Sequence, residues 1–196
     1  MSTSYQIGLF LHISFLLVGF SAGTMMVVTA LKLRAAKSGA ESFPWGMLAA
    51  KTAGAFPIAV AGLLLTGAYL THKAGWGWSS GWIVGGIIGL VILMGQGVLI
   101  EGRHGKELGA ALKANGPGPL SDEIRAMTSS RLHWIVTLGA EGLVLGIIWN
   151  MLHKPDLVGA LLAMVVGYGA FAGIGVWIAA KPVEAAPEAA AATVPQ

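Results

Sequence analysis

Five long apolar stretches, separated by short polar segments, follow one another along the chain. Each is long enough to form an α-helix that crosses about 30 Å of hydrocarbon. In lipid, a helix satisfies its backbone polar groups within its own segment. The pattern therefore predicts an all-α, polytopic transmembrane helix bundle that forms a single domain over residues 1–181. The spans are expected at about 5–33, 45–70, 81–100, 132–151 and 157–180.

Composition strengthens this interpretation. The chain has 196 residues and is 55% hydrophobic but only 11% charged, whereas soluble domains are about 25% charged. A soluble domain of this size does not have the interior volume to bury so much apolar surface. Lipid is therefore the expected partner, and nucleic acid is not. The absence of cysteine excludes disulfides, thiolate zinc sites and iron–sulfur clusters.

The placement of basic residues predicts the orientation. Of the twelve lysines and arginines, only Lys73 and Lys154 fall on one predicted side of the membrane. The remaining ten fall on the other side or close to it, and the positive-inside rule makes that side cytoplasmic. The N-terminus is thus expected outside and the C-terminus in the cytoplasm. We expect a multi-pass protein of the bacterial cytoplasmic (inner) membrane.

All seven tryptophans fall near the ends of the apolar stretches. Tryptophan is enriched at both membrane–water interfaces, where its ring sits at the level of the headgroups. The sequence therefore predicts two aromatic belts rather than core tryptophans.

The polar segments carry their own signals. Residues 104–114 are expected to extend the third helix, and the run Gly116-Pro117-Gly118-Pro119 is expected to end it. Ser121, followed by two acids, is a predicted N-cap. The Ala/Pro-rich tail, 182–196, has little to bury and is expected to be disordered by itself.

Glycine pairs at GxxxG spacing predict close helix packing, since two glycines on one face let backbones approach. The spacing alone does not distinguish packing within the chain from packing between subunits. The four pairs are Gly19/Gly23, Gly85/Gly89, Gly142/Gly146 and Gly169/Gly173.

Glu141 is the most informative polar residue, because it falls near the middle of the fourth stretch. A charged group there costs roughly 2.5–3.5 kcal/mol, so the side chain is expected to face the bundle interior. The polar residues nearest in depth are Gln96 and Lys51. One interpretation is a proton-relay or ligand-binding carboxyl. The other is a structural acid that holds helices together through hydrogen bonds.

His12 shares a helix face with the first glycine pair, so it is expected to pack against protein. It is either a hydrogen-bonded core histidine or an axial ligand of haem or copper. Together with His72 it could form a bis-histidine haem b site on the outer side, where His153 is also expected. His104 and His133 are expected near the cytoplasmic face, so His133 should not share a metal with His12.

The segments LFLHISFLLVGFSAG and AGLLLTGAYLTH, at 9–23 and 61–72, resemble a bacterial family of multi-pass membrane proteins without assigned function. More distantly, they are similar to the copper-resistance D family and to membrane protoporphyrinogen oxidase. In those relatives a first-helix histidine is associated with haem or copper, and only His12 carries over. Five helices depart from the four-helix core of the oxidase.

Three functional hypotheses follow. The first is an accessory or structural subunit, not an enzyme, that packs against other subunits of a respiratory or photosynthetic electron-transfer complex. The second is a haem b-binding redox protein that uses His12. The third is a proton-coupled or small-solute transporter that uses Glu141. No P-loop, dinucleotide fingerprint, zinc-protease motif or nucleophile elbow points to catalysis.

Overall fold

A computed structural model describes residues 2–182, and in this part of the chain the fold is all-helical with no strand. Five helical segments are long and apolar enough to cross a membrane, which confirms the predicted number. The predicted tail lies outside the described residues, apart from Pro182. The eight α-helices are α1 (Thr3–Ala35), α2 (Gly39–Ala53), α3 (Ala55–Ala74), α4 (Gly81–Gln96), α5 (Gly102–Asn115), α6 (Asp122–Thr128), α7 (Arg131–His153) and α8 (Leu157–Ala180).

Successive apolar segments run in opposite directions and give the bundle two distinct ends. The "N-terminal end" holds the start of α1 and the connections at 75–80 and 154–156. The "basic end" holds α5, α6 and the C-termini of α1 and α8. There the Nη2 atom of Arg34 donates to the carbonyl oxygen of Lys181 at 2.5 Å. This hydrogen bond joins the first and the last of the apolar segments.

The second segment is one apolar run in the sequence but two helices in the structure. Its break lies at Gly54, between α2 and α3. Pro57 accounts for the break, because proline has no amide hydrogen to donate and its ring clashes with the carbonyl four residues earlier, that of Ala53. Lys51 lies in the last turn before the break and is exposed.

α7 is the central helix of the bundle. More than half of its apolar window is buried, at 56%, against 11% for α8 and 22% for α1. Glycines allow this packing: Gly142 lies against the backbone of Gly167, and Gly146 against that of Met164. Polar side chains near the middle of α7, such as Thr137 and Glu141, are therefore buried.

The glycine pairs have different environments. Gly85 lies against Ala160 of α8, and Gly89 lies between Ile147 of α7 and Met164 of α8. Gly142/Gly146 also pack against α8. The pair on α1 is divided, since Gly19 meets Ala59 of α3 while Gly23 meets α7. No neighbouring atom within residues 2–182 lies within 4 Å of a Cβ built on Gly169 or Gly173.

The connection between α5 and α6 follows the sequence signals. Gly116 has a φ of 67°, a left-handed conformation that glycine adopts without steric cost. The Asn115 side chain spans the turn, donating to the carbonyl oxygen of Pro119 at 3.1 Å and accepting from the amide of Ser121 at 3.0 Å. Ser121 in turn caps α6 by accepting from the amide of Ile124 at 3.4 Å. The predicted extension, break and N-cap are confirmed.

Trp134 corrects the prediction of purely interfacial tryptophans. Its side chain is 0% exposed, and its indole N–H donates to the carbonyl oxygen of Thr128 at 3.0 Å. The core position arises because α1 and α8 both cover the first turn of α7, and Gly175 has no side chain to keep α8 away. Trp82 is also buried, whereas Trp78 and Trp177 are exposed.

Candidate functional site

Glu141 lies inside the bundle, as predicted. It is 8% exposed and projects from α7 onto α1, where its Oε1 atom occupies the space that a side chain on Gly23 would fill. Within residues 2–182 the carboxyl forms neither a hydrogen bond nor an ion pair. It is therefore a buried acid that no neighbouring group of the described chain neutralises.

Within residues 2–182, neither of the two polar residues predicted nearest to Glu141 in depth forms a hydrogen bond or an ion pair with it. Lys51 is exposed beside the break between α2 and α3. Gln96 ends α4, and its buried Nε2 atom has no hydrogen-bond partner among the described residues. Their depth relative to Glu141 stays a prediction.

A second polar group surrounds His133, two turns from Glu141 toward the basic end. The His133 Nδ1 atom lies 3.0 Å from Oε2 of Glu101 and 3.3 Å from the hydroxyl oxygen of Thr137. The ring of His104 stacks on that of His133, with centroids 4.3 Å apart and planes inclined by 22°. We call Glu101, His104, His133 and Thr137 the His133 cluster.

A π-helical turn, Gly97–Glu101, supplies one member of this cluster. It joins α4 to α5 without ending the helix. Because the turn is wider than an α-helical turn, it changes which of the following residues face α7. Such turns occur frequently at functional sites. Glu101 comes at its last position and reaches α7.

The sequence predicts His104 and His133 at the same side of the membrane, but that prediction does not connect them to Glu101. The available signal was an acid immediately after an apolar stretch, followed by a histidine three residues later. That spacing places Glu101 and His104 on one helix face. Their meeting with His133 depends on how α4 and α7 pack, which the spacing does not give.

His133, Thr137 and Glu141 follow one another at intervals of four residues along α7. Each step rises about 6 Å along the helix axis. The first residue faces Glu101 and the last faces α1. A line of polar side chains thus leads from the basic end to the middle of the apolar segment.

His12 packs against α3, as predicted for a residue on the glycine face of α1. Its Nδ1 atom lies 2.9 Å from the hydroxyl oxygen of Thr66, and that hydroxyl lies 2.5 Å from the carbonyl oxygen of Gly62. The hydroxyl has one proton to donate. The carbonyl oxygen has no proton and can only accept a hydrogen bond. With the hydroxyl proton directed at the Gly62 carbonyl, Nδ1 of a neutral His12 is the donor to Thr66.

An open, largely apolar groove of about 350 Å³ lies beside this pair. Leu11, Leu65 and Thr66 contribute to its lining, together with Tyr69. His72 lies outside the groove lining, exposed near the end of α3. It follows Thr66 by six residues, or about 9 Å along the axis.

In residues 2–182, no group of three or more histidine, aspartate or glutamate side chains has the arrangement of a metal site. Compared with models of known families, with curated proteins and with solved structures, the chain gives no significant match.

Proposed function

We propose that this chain is a multi-pass membrane protein that carries out proton-coupled transport, with Glu141 as the proton-binding group. The observation that supports this most is the burial of Glu141 on the central helix without a hydrogen-bonding or charged partner among the described residues. Intramembrane acids of this kind occur along the proton pathways of pumps and transporters.

The chemical argument concerns the cost of charge. A carboxylate without a partner in an apolar interior is strongly disfavoured, whereas the protonated acid is neutral. A group that changes charge when it gains or loses a proton therefore couples proton occupancy to the packing of α1 against α7. A purely structural acid would instead be expected to engage its oxygens in hydrogen bonds.

The proposed orientation places the basic end in the cytoplasm, in the inner membrane of a bacterium. Arg34, Arg103, Arg125 and Arg131 are all carried by segments at this end, whereas Lys73 and Lys154 are at the N-terminal end. The positive-inside rule supports this direction, and anionic headgroups favour the same side.

Proton flux into liposomes tests the proposal. The purified protein is reconstituted into liposomes that enclose a pH-sensitive dye. A potassium diffusion potential set with valinomycin then drives protons inward. We expect acidification faster than in protein-free vesicles, and we expect Glu141→Gln to reduce it to the protein-free rate. Dicyclohexylcarbodiimide, which modifies protonated carboxyls in apolar surroundings, should inhibit the flux and label Glu141.

Glu123→Gln is the matched control, because Glu123 is an exposed acid on α6. It should leave the flux and the labelling unchanged. A wild-type flux no faster than that of protein-free vesicles would refute the proposal, and so would an undiminished flux in Glu141→Gln.

A second candidate function is haem b binding at His12. The hydrogen bond to Thr66 supports it, because metal-ligating histidines almost always donate their other ring N–H to a partner. We expect protein purified with added haem to show a Soret band that is lost in His12→Ala and retained in His153→Ala, which changes an exposed histidine. Absence of the band from the wild-type protein would exclude this function.

The accessory-subunit hypothesis remains a prediction. The face of α8 that carries Gly169 and Gly173 has the small residues that membrane helices use for close packing, and it meets no neighbour within the described residues. Co-purification of other subunits from native membranes would support this role. A monodisperse, stable monomer from the same membranes would argue against it.

A further inference from the structure

The His133 cluster lies between the basic end and Glu141, on the same helix as the acid. Its side chains are only partly exposed, at 11% for His133 and 20% for Glu101. The proposed proton-binding carboxyl needs access from one side of the bilayer. Along α7, the polar side chains between Glu141 and the basic end are Thr137 and His133.

We propose that the His133 cluster is the proton-entry path from the basic end to Glu141. This inference rests on the proposed function and names the residues through which that site is reached. The path begins at the Glu101–His133 pair, passes Thr137 and ends at the Glu141 carboxyl.

The chemistry needs only proton exchange, with no redox step. A proton taken up from solvent is held between Nδ1 of His133 and the carboxylate of Glu101, atoms that lie 3.0 Å apart. The Thr137 hydroxyl, 3.3 Å from Nδ1, accepts this proton and releases its own toward Glu141. One proton enters and one arrives, so the charges of the cluster are restored.

The step from Thr137 to Glu141 spans one helical turn, with a rise of about 6 Å. A single water between the hydroxyl and the carboxyl completes the path, since buried waters typically bridge two to four polar partners. Because Gly23 has no side chain, the Glu141 carboxyl itself fills the space between α7 and the α1 backbone.

Several elements present titratable groups to His133. Glu101 comes from the π-helical turn and His104 from α5, and Glu107 of α5 lies within electrostatic range of His104. Tyr168 of α8 lies within electrostatic range of Glu101. Within residues 2–182, no lysine or arginine forms an ion pair with Glu101, and His133 is the side chain that contacts its carboxylate at 3.0 Å.

The stacking of His104 on His133 disfavours a positive charge on both imidazole rings at once. The two rings are stacked with centroids 4.3 Å apart, and like charges at such a distance oppose each other. The Nε2 atom of His104 is buried and has no hydrogen-bond partner within the described part of the chain. A second imidazolium beside a protonated His133 is therefore disfavoured.

The test uses the liposome assay with His133→Ala, with and without imidazole in the buffer. We expect the variant to lose proton flux on the order of 10²-fold, the usual contribution of a positioned acid–base group. Added imidazole should restore a large part of the flux, because it replaces the missing ring as a proton carrier. A role in packing alone would not produce this rescue.

Two further variants keep the test decisive. His153→Ala removes an exposed histidine from the other end of α7 and should keep wild-type flux. Glu101→Gln should slow the flux, because the amide cannot accept a proton from His133. Imidazole should raise the flux of neither the wild-type protein nor Glu141→Gln.

The two proposals fail in different ways. If Glu141→Gln abolishes the flux but His133→Ala and Glu101→Gln do not reduce it, the entry path is wrong and the proposed function stands. A reduced flux in His133→Ala that imidazole does not restore also overturns the entry path. If Glu141→Gln has no effect, the proposed function itself is wrong.

Discussion

The contact between Gly23 and Glu141 shows how a missing side chain positions a functional one. α1 passes α7 closely enough that the carboxyl of Glu141 fills the space beside the Gly23 backbone. A methyl group at this position would overlap Oε1. Gly23 therefore determines where the Glu141 carboxyl can lie, although it has no side chain to bind it.

Gly23→Ala should consequently displace the Glu141 carboxyl and lower the free energy of unfolding by about 1 kcal/mol, the lower end of the usual cost of overpacking, because the end of a flexible side chain can move. Unfolding of the protein in mixed micelles, titrated with sodium dodecyl sulfate, measures this change. The matched control is Gly173→Ala on α8, where no described atom lies within 4 Å of the added carbon. Equal stability of the two variants would contradict the close contact.

Residue-level predictions from the sequence succeeded where a local cost determined the outcome. The burial of Glu141 followed from the expense of a charge in an apolar stretch. Its contact with Gly23 did not follow, because the rotation of α1 against α7 depends on the packing of both helices. The prediction for Trp134 failed for a related reason. Its position at a helix end follows from the local sequence, but its burial comes from packing by α1 and α8.

At the scale of elements, the apolar stretches became helices because length and hydrophobicity are properties of each segment alone. The break at Gly54 could have been read from Pro57, whose effect on the preceding turn is general. The π-helical turn could not, since no residue in Gly97–Glu101 requires it. The turn nevertheless brings Glu101 to His133, so the part of the site that the sequence missed depends on an irregular element.

At the scale of the whole molecule, the two ends differ in charge and in the length of their connections. The basic end holds α5 and α6, and the N-terminal end holds only short connections. The number of spans and their alternating directions were predictable, because they follow from the order of apolar and polar segments. The central place of α7 was not, because all five segments are apolar enough to be candidates for it.

The proposed orientation can be measured directly, because the chain has no cysteine. A single cysteine introduced as Gly77→Cys marks the N-terminal end, and Gly118→Cys marks the basic end. In intact bacteria, a membrane-impermeant maleimide should label the first variant and not the second. After the cells are permeabilised, both should react. Labelling of Gly118→Cys alone in intact cells would reverse the orientation.

The hydrogen bond from Arg34 to the Lys181 carbonyl has a consequence for how the protein is made. These residues are 147 positions apart, so α1 leaves the ribosome long before α8 exists. In the folded protein, the Arg34 guanidinium also lies 5.8 Å from the centre of the Trp134 ring. Until α8 has been made, Arg34 lacks its backbone acceptor. The assembly of the bundle can therefore be completed only after its fifth apolar segment has been synthesised and inserted.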